Sequence, residues 1–323
     1  MAPVESDITA ADGTRIRLWE VSPDDATEAV LFVHGATYPT RAVFAPPIEA
    51  DGEETYSWLR AAAQRGRAAF AVDLRGYGQS DRPTPVDGPS GVDVPARATD
   101  VVADVEAALK SICDRFDRVH LVGYSWGSIV CGVYVTTVND DVASLTQVAP
   151  VYRPPADVAA RFVDVEPLEP FRRITRDDVR ERWNDQIPDG TNPSRWRSGE
   201  PESDPVLEAV WQGLASSQYR LESADVPTVE VPNGTFQDLR ASTEDDPAYR
   251  ADEISVPTLV VRGSLDPTAA RSDALALYDE LDSTACREYA EIGGGTHFLA
   301  LERRRTALYD AVDSYQNRVE SDR

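Results

Sequence analysis

The sequence predicts an α/β protein built on one mostly parallel, two-faced sheet that a long insertion interrupts once. Three observations carry this. Short apolar runs alternate with helical stretches through the first 150 residues, which places helices on both faces of a parallel sheet. The alternation breaks from about Arg153 to Glu253, where prolines, charges and short helices take over, and it resumes at residue 256. A Gly-x-Ser-x-Gly run at 123–127 falls on a strand-to-helix junction. The expected partition is a sheet domain made of 1–152 and 254–323, with 153–253 inserted as a cap.

The elements follow in order. TRIRLWEV at 14–21 alternates and reads as a strand after the turn ADG. AVLFVHG at 29–35 is a buried strand ending in Gly. TYSWLRAAAQRG at 55–66 is helical, with Gly66 as its closing residue. AAFAVDLRG at 68–76 is a second buried strand, and the proline-rich stretch 81–95 is a loop. A helix is expected over 98–116, a strand over 118–125, a helix over 126–138 and a strand over 143–150. After the insertion come a strand at 256–263, a helix at 268–281, a strand at 286–292 and a terminal helix from Leu299.

A length of 323 residues suits one such domain with an inserted subdomain. Asp and Glu number 56 against 32 Lys and Arg, a net charge of −24, and Lys110 is the single lysine. A negative field of that size repels phosphate backbones and argues against a nucleic-acid partner. No run of about 18 apolar residues is present, so no membrane-spanning helix is expected. The opening MAPVESDITAADG is acidic and lacks an apolar stretch, which reads as a cytoplasmic chain. Cys113, Cys131 and Cys286 lack metal-type spacing and are expected as buried thiols. With three histidines and no Cys pair, no metal site is expected. Excess carboxylate with almost no lysine resembles proteins of salt-loving archaea.

The segment Gly123-Tyr124-Ser125-Trp126-Gly127 carries the chemistry. A sharp strand-to-helix turn crowds its neighbours, so the positions two before and two after Ser125 must be nearly bare. The turn holds the hydroxyl at a helix N-terminus, whose free N–H groups favour developing negative charge. A serine needs a base to attack a carbonyl. His120 lies inside a strand and His34 at a strand end, where it suits loop shaping. His297, in GGGTHF after the last strand, is the histidine on a loop at the correct sheet edge. A carboxylate must orient that base. Asp266 follows VPTLVVRG through a short turn at the same edge, and Asp157 is the reserve. For the oxyanion, the Trp126 N–H is one donor. The other comes from the loop after His34-Gly35, with Ala36 first and Thr37 or Tyr38 second.

The runs FVHG, DLRGYGQSDRP at 73–83, GYSWG, VRGSLDP at 262–267 and GGGTHF together resemble the α/β-hydrolase superfamily, in its branch of lidded esterases and C–C-bond hydrolases. The resemblance covers 10–150 and 255–315. It implies an eight-stranded, mostly parallel sheet with a cap after the sixth strand. Related dehalogenases and epoxide hydrolases carry Asp where this chain has Ser125, which argues against both activities. Asp73 and Asp81, flanking Arg75-Gly76-Tyr77-Gly78, read as loop scaffold.

The expected function is a serine hydrolase cleaving a carboxylic ester or similar small acyl substrate, without a cofactor. C–C or amide hydrolysis, or acyl transfer, by the same triad is the alternative. Tyr38, Tyr124, Phe162, Trp183 and Phe298 are expected in the substrate pocket. The insertion's other aromatics, Phe171, Trp196, Trp211 and Tyr219, suit either the pocket or the insertion's own core. Nine arginines between Arg153 and Arg197 lie among acidic residues and read as a self-paired face, one or two of them suited to a substrate carboxylate.

Overall fold

The computed structural model describes residues 1–48, 56–83, 87–88, 91–92, 94–163, 169–197, 204–222, 225–243, 246–284 and 286–321. Of the loop 81–95, residues 84–86, 89–90 and 93 lie outside these. The main sheet has eight strands: β1 (Val4–Thr9), β2 (Arg15–Val21), β3 (Ala29–Val33), β4 (Ala68–Asp73), β5 (Val119–Tyr124), β6 (Ser144–Val148), β7 (Thr258–Gly263) and β8 (Arg287–Ile292). Their spatial order is β1-β2-β4-β3-β5-β6-β7-β8. The β1/β2 and β2/β4 pairs are antiparallel, and every other pair is parallel.

Helices cover both faces: α1 (Trp58–Gln64), α2 (Ala98–Cys113), α3 (Trp126–Thr137), α4 (Arg271–Glu280) and α5 (Arg305–Ser321). Strand β3 shows how the sequence divides between two cores. All five of its residues are buried. Ala29, Leu31 and Val33 join the cluster containing Val101, Val105 and Leu109 of α2 and Ile129 and Val133 of α3. Val30 and Phe32 join Trp58 and Leu59 of α1 and Leu308, Val312 and Tyr315 of α5. A strand buried on both faces reads as a continuous apolar run, which is how AVLFV appears in the sequence.

Strand β1 is absent from the sequence reading. VESDIT is almost wholly exposed and polar, as suits an edge strand protected by charge. The terminal helix also differs: Leu299–Leu301 form a 3₁₀ turn, and α5 starts at Arg305. Of the cysteines only Cys131 is buried; Cys113, the last residue of α2, is exposed, and Cys286 is half-buried. Helix α1 is capped by Ser57, whose side chain accepts the Arg60 N–H, and Gly66 beyond it takes φ +94°.

Between β6 and β7 lie helices Ala156–Val163, Arg176–Asn184, Pro205–Ala215 and Gly234–Thr243. A three-stranded antiparallel sheet, missing from the sequence reading, joins them: Arg220–Leu221, Thr228–Pro232 and Phe171–Thr175, in that order. Its charged FRRIT strand is only half-buried and carries little apolar signal. Asp238 ties this segment to the main sheet. Its carboxylate accepts the Trp126 indole N–H at 2.9 Å, the Ala98 N–H at 2.7 Å and Arg97 Nε at 2.9 Å.

Candidate active site

Ser125 stands between β5 and α3 with φ 54° and ψ −121°, a conformation L-residues rarely adopt. Its neighbours explain how the turn closes. A Cβ on Gly123 would lie 2.3 Å from the Gly127 carbonyl oxygen, and one on Gly127 would lie 2.3 Å from that of Val33. The bare flanks expected on both sides of the serine are therefore steric requirements. The Ser125 N–H donates to Val148 O at 2.8 Å, pinning the turn to the end of β6.

His297 reaches Ser125 from the loop after β8. Its Nε2 lies 3.0 Å from Ser125 Oγ, and its Nδ1 lies 2.8 Å from Asp266 Oδ2. A carboxylate only accepts, so in the neutral ring Nδ1 carries the proton and Nε2 turns its lone pair to the serine hydroxyl. Asp266 is buried in the turn after β7. Its second oxygen, Oδ1, accepts the N–H groups of Thr268 at 2.8 Å and Ala269 at 2.9 Å. The turn-forming and His-orienting roles thus use different oxygens of one carboxylate. Asp157, the reserve, is exposed on the helix Ala156–Val163.

Trp126 is the first residue of α3, so its N–H belongs to the helix end that has no intrahelical acceptor. Gly35 brings the loop after β3 against Ser125. A Cβ there would lie 2.7 Å from Tyr124 O and 2.9 Å from Ser125 Cβ. Ala36 and Thr37 follow, Thr37 in the left-handed region at φ 73°. His34 does not enter the site. Its Nδ1 lies 2.8 Å from Gly35 O, and its Nε2 accepts the Leu74 N–H at 3.1 Å. Burial lowers its pKa, and these two hydrogen bonds hold the loop. His120 is buried in β5, 2.8 Å from Ser144 Oγ. Asp73 accepts from Trp19 Nε1, Thr40 N and Gln79 N and scaffolds its loop.

A cavity of about 440 Å³ opens over Ser125 and His297. Tyr38, Tyr124 and Phe298 line it. Burial pushes the Tyr38 hydroxyl up to about 12 and raises that of Tyr124, which donates to His297 O at 2.7 Å. Trp183 does not line the cavity. It is buried behind Phe298, ring centroids 5.1 Å apart, with the Arg197 guanidinium 3.8 Å from its own ring centroid. Phe171, Trp196, Trp211 and Tyr219 are likewise not lining residues. The Phe162 side chain lies outside the described residues. Sequence reasoning missed Phe236 and Leu239, which do line the cavity, and assigned no specific role to Arg172, which also does. It also missed Glu302, which accepts the N–H of Thr296, the residue before His297. Among the described residues no group of three or more His, Cys, Asp or Glu side chains could hold a metal ion, and no helix is long and apolar enough to cross a membrane.

The fold is shared with solved structures. An esterase from Exiguobacterium antarcticum is 18% identical, with a TM-score of 0.61 over 98% of this chain and 100% of that one. A thioesterase domain from the curacin biosynthetic pathway is 14% identical, with a TM-score of 0.62 over 98% and 99%. An E-2-(acetamidomethylene)succinate hydrolase is 16% identical, with a TM-score of 0.64 over 98% and 99%. At these identities the likeness is one of fold. A search of curated protein sequences gave no match. A sequence model of the alpha/beta hydrolase family matches residues 30–311, most of the chain. The chain belongs to the alpha/beta hydrolase family.

Proposed function

We propose that this chain is a serine hydrolase that cleaves a carboxylic ester or similar acyl substrate through an acyl-enzyme. The observation that carries the reading is the continuous Ser125–His297–Asp266 hydrogen-bond chain on the wall of a cavity. In this scheme Ser125 Oγ attacks the carbonyl carbon and its proton passes to His297 Nε2. Asp266 holds the ring in the required tautomer and stabilises the imidazolium. The oxyanion is held by the Trp126 N–H and by an N–H of the Ala36–Thr37 turn. His297 then gives its proton to the leaving group, and water, deprotonated by the same nitrogen, releases the acyl group from Ser125. Every step uses the chain's own groups and water.

The segment 153–253 acts in this reading as a cap that shapes the acyl and alcohol pockets. Its Arg172, Val179, Phe236 and Leu239 at the cavity support that role. The test is a panel of esters, thioesters, amides and β-diketones, with Ser125→Ala as the blank. Ester or thioester turnover that vanishes in the variant supports the reading. Turnover that survives in Ser125→Ala, or that is confined to β-diketones, contradicts it.

A further inference from the structure

The chain carries a net charge of −24, yet among the described residues three arginines line its catalytic cavity, Arg172, Arg173 and Arg182, against one aspartate, Asp178. Asp178 is engaged with its own helix start, accepting the Thr175 N–H at 2.8 Å and the Thr175 hydroxyl at 2.7 Å. Arg173 is exposed, 3.6 Å from Glu230. Arg182 donates to Thr268 Oγ1 at 2.7 Å.

Arg172 is held differently. Its Nη1 donates to Pro232 O at 2.6 Å and Asn233 Oδ1 at 2.9 Å, and its Nη2 donates to Thr37 Oγ1 at 2.6 Å. The guanidinium carbon lies 4.6 Å from the Phe236 ring centroid. All these partners are neutral, and among the described residues no carboxylate lies within ion-pair distance of it. Desolvation lowers its pKa, the direction expected of a cation whose partners among the described residues are neutral. An arginine stays protonated nonetheless, and a half-buried charge with no ion-pair partner among the described residues costs stability. The other insertion arginines with paired carboxylates show the contrast: Arg176 with Glu208, Arg180 with Asp177, Arg197 with Glu302. The side chain is also fixed in place, because strand Phe171–Thr175 sets its backbone and Thr37, Pro232 and Asn233 set its planar end.

We propose that Arg172 is a specificity residue that receives a carboxylate of the substrate, so that the preferred substrates are acyl esters bearing a second, anionic group. This rests on the serine-hydrolase reading and narrows it. A carboxylate on the guanidinium supplies a counter-charge through charge-assisted hydrogen bonds, which a neutral substrate of the same shape does not. Thr37, which holds Arg172, follows Ala36 in the turn beside Ser125. The anionic group would therefore bind a short distance from the scissile carbonyl.

The test uses pairs of esters differing only in charge. Monomethyl succinate and monomethyl glutarate carry the carboxylate on the acyl side, and acetoxyacetate carries it on the alcohol side. Each is compared with the ester in which isopropyl replaces carboxylate, at one fixed KCl concentration. The wild type should prefer the anionic member of at least one pair by about tenfold or more in kcat/KM. Arg172→Gln should abolish that preference, and Arg172→Lys, which keeps the charge but not the planar fork, should retain part of it. Preference for the neutral member in every pair, or a preference that Arg172→Gln leaves intact, overturns the proposal. The wild-type comparison needs no variant to fold. Calorimetric titration of glutarate into Ser125→Ala reads the subsite without chemistry. Binding there with no ester or other acyl compound turned over by the wild type keeps the subsite and overturns the hydrolase reading. Turnover of neutral esters with neither glutarate binding nor anionic preference keeps the hydrolase and overturns the subsite.

Discussion

Glu302 joins the loop that carries His297 to the inserted segment. Its Oε1 lies 2.8 Å from Arg197 Nη1, and its Oε2 accepts the Thr296 N–H at 3.0 Å. Both side chains are buried, Arg197 to 2% exposure and Glu302 to 0%. Burial raises the Glu302 pKa, with Arg197 opposing the rise. Glu302→Ala strands the Arg197 charge and frees Thr296 one residue before His297. Denaturant unfolding should show a loss of roughly 3–5 kcal/mol, with kcat falling as well. A stability within about 0.5 kcal/mol of wild type, the range of an ordinary surface change, would contradict this pairing.

Gly35 supports a second prediction. A methyl group there has no room between Tyr124 O and Ser125 Cβ, so Gly35→Ala must push the Ala36–Thr37 turn away from Ser125. The expected loss is about 10²–10³ in kcat, the scale of one oxyanion donor removed. The far-ultraviolet circular dichroism should stay close to wild type. A kcat within about twofold of wild type would show that this turn does not serve the reaction.

The part of this site legible in the sequence rests on Ser125 and Asp266, which follow strands buried along their whole length. Strands β3, β5 and β7 are buried on both faces, and their apolar runs locate the sheet edge, while His297 follows the half-buried β8 and is marked by its glycine-rich loop. What stayed hidden depends on contacts distant along the chain. Arg172 meets Thr37 across 135 positions, and Asp238 meets Trp126 across 112. No local period marks either pair; Arg172 is one of nine arginines with nothing in the sequence to single it out, and Asp238 carries no sequence signal. Trp183 shows the converse: an aromatic of the insertion expected in the pocket, it packs against Phe298 and Arg197 instead.

The acid dependence of stability has a component at Asp273. This buried carboxyl accepts the N–H groups of Tyr152 at 3.0 Å and Arg153 at 2.6 Å, and burial pushes its pKa up to about 6. The folded state therefore binds this proton more tightly than the unfolded chain. The contribution is fully present below the unfolded value and is lost as pH rises through about 6. Between about pH 5 and 7 the stability of wild type relative to Asp273→Asn should fall by roughly 1.4 kcal/mol. Denaturant midpoints of both proteins across that window measure it. A difference that stays constant or grows would contradict the assignment.

The net charge of −24 sets the response to salt. Like charges on the folded surface repel and weaken the compact state. The Debye length falls from about 10 Å at 0.1 M to about 3 Å at 1 M, which removes most of that repulsion. The melting temperature should rise from about 0.1 M to 1 M KCl and continue upward or level off beyond it. A melting temperature that stays flat or falls over this range would show that surface repulsion does not limit stability.

The central claim is that Ser125 is a nucleophile activated by His297, and covalent labelling tests it most directly. A fluorophosphonate probe is incubated with wild type, Ser125→Ala and His297→Ala, and the adduct is located by peptide mass spectrometry. The expected result is one adduct on the Ser125 peptide of wild type, none on Ser125→Ala, and labelling of His297→Ala slowed by about 10³-fold or more, since triad members act as a unit. An adduct on another residue, or equal labelling of Ser125→Ala, would contradict it.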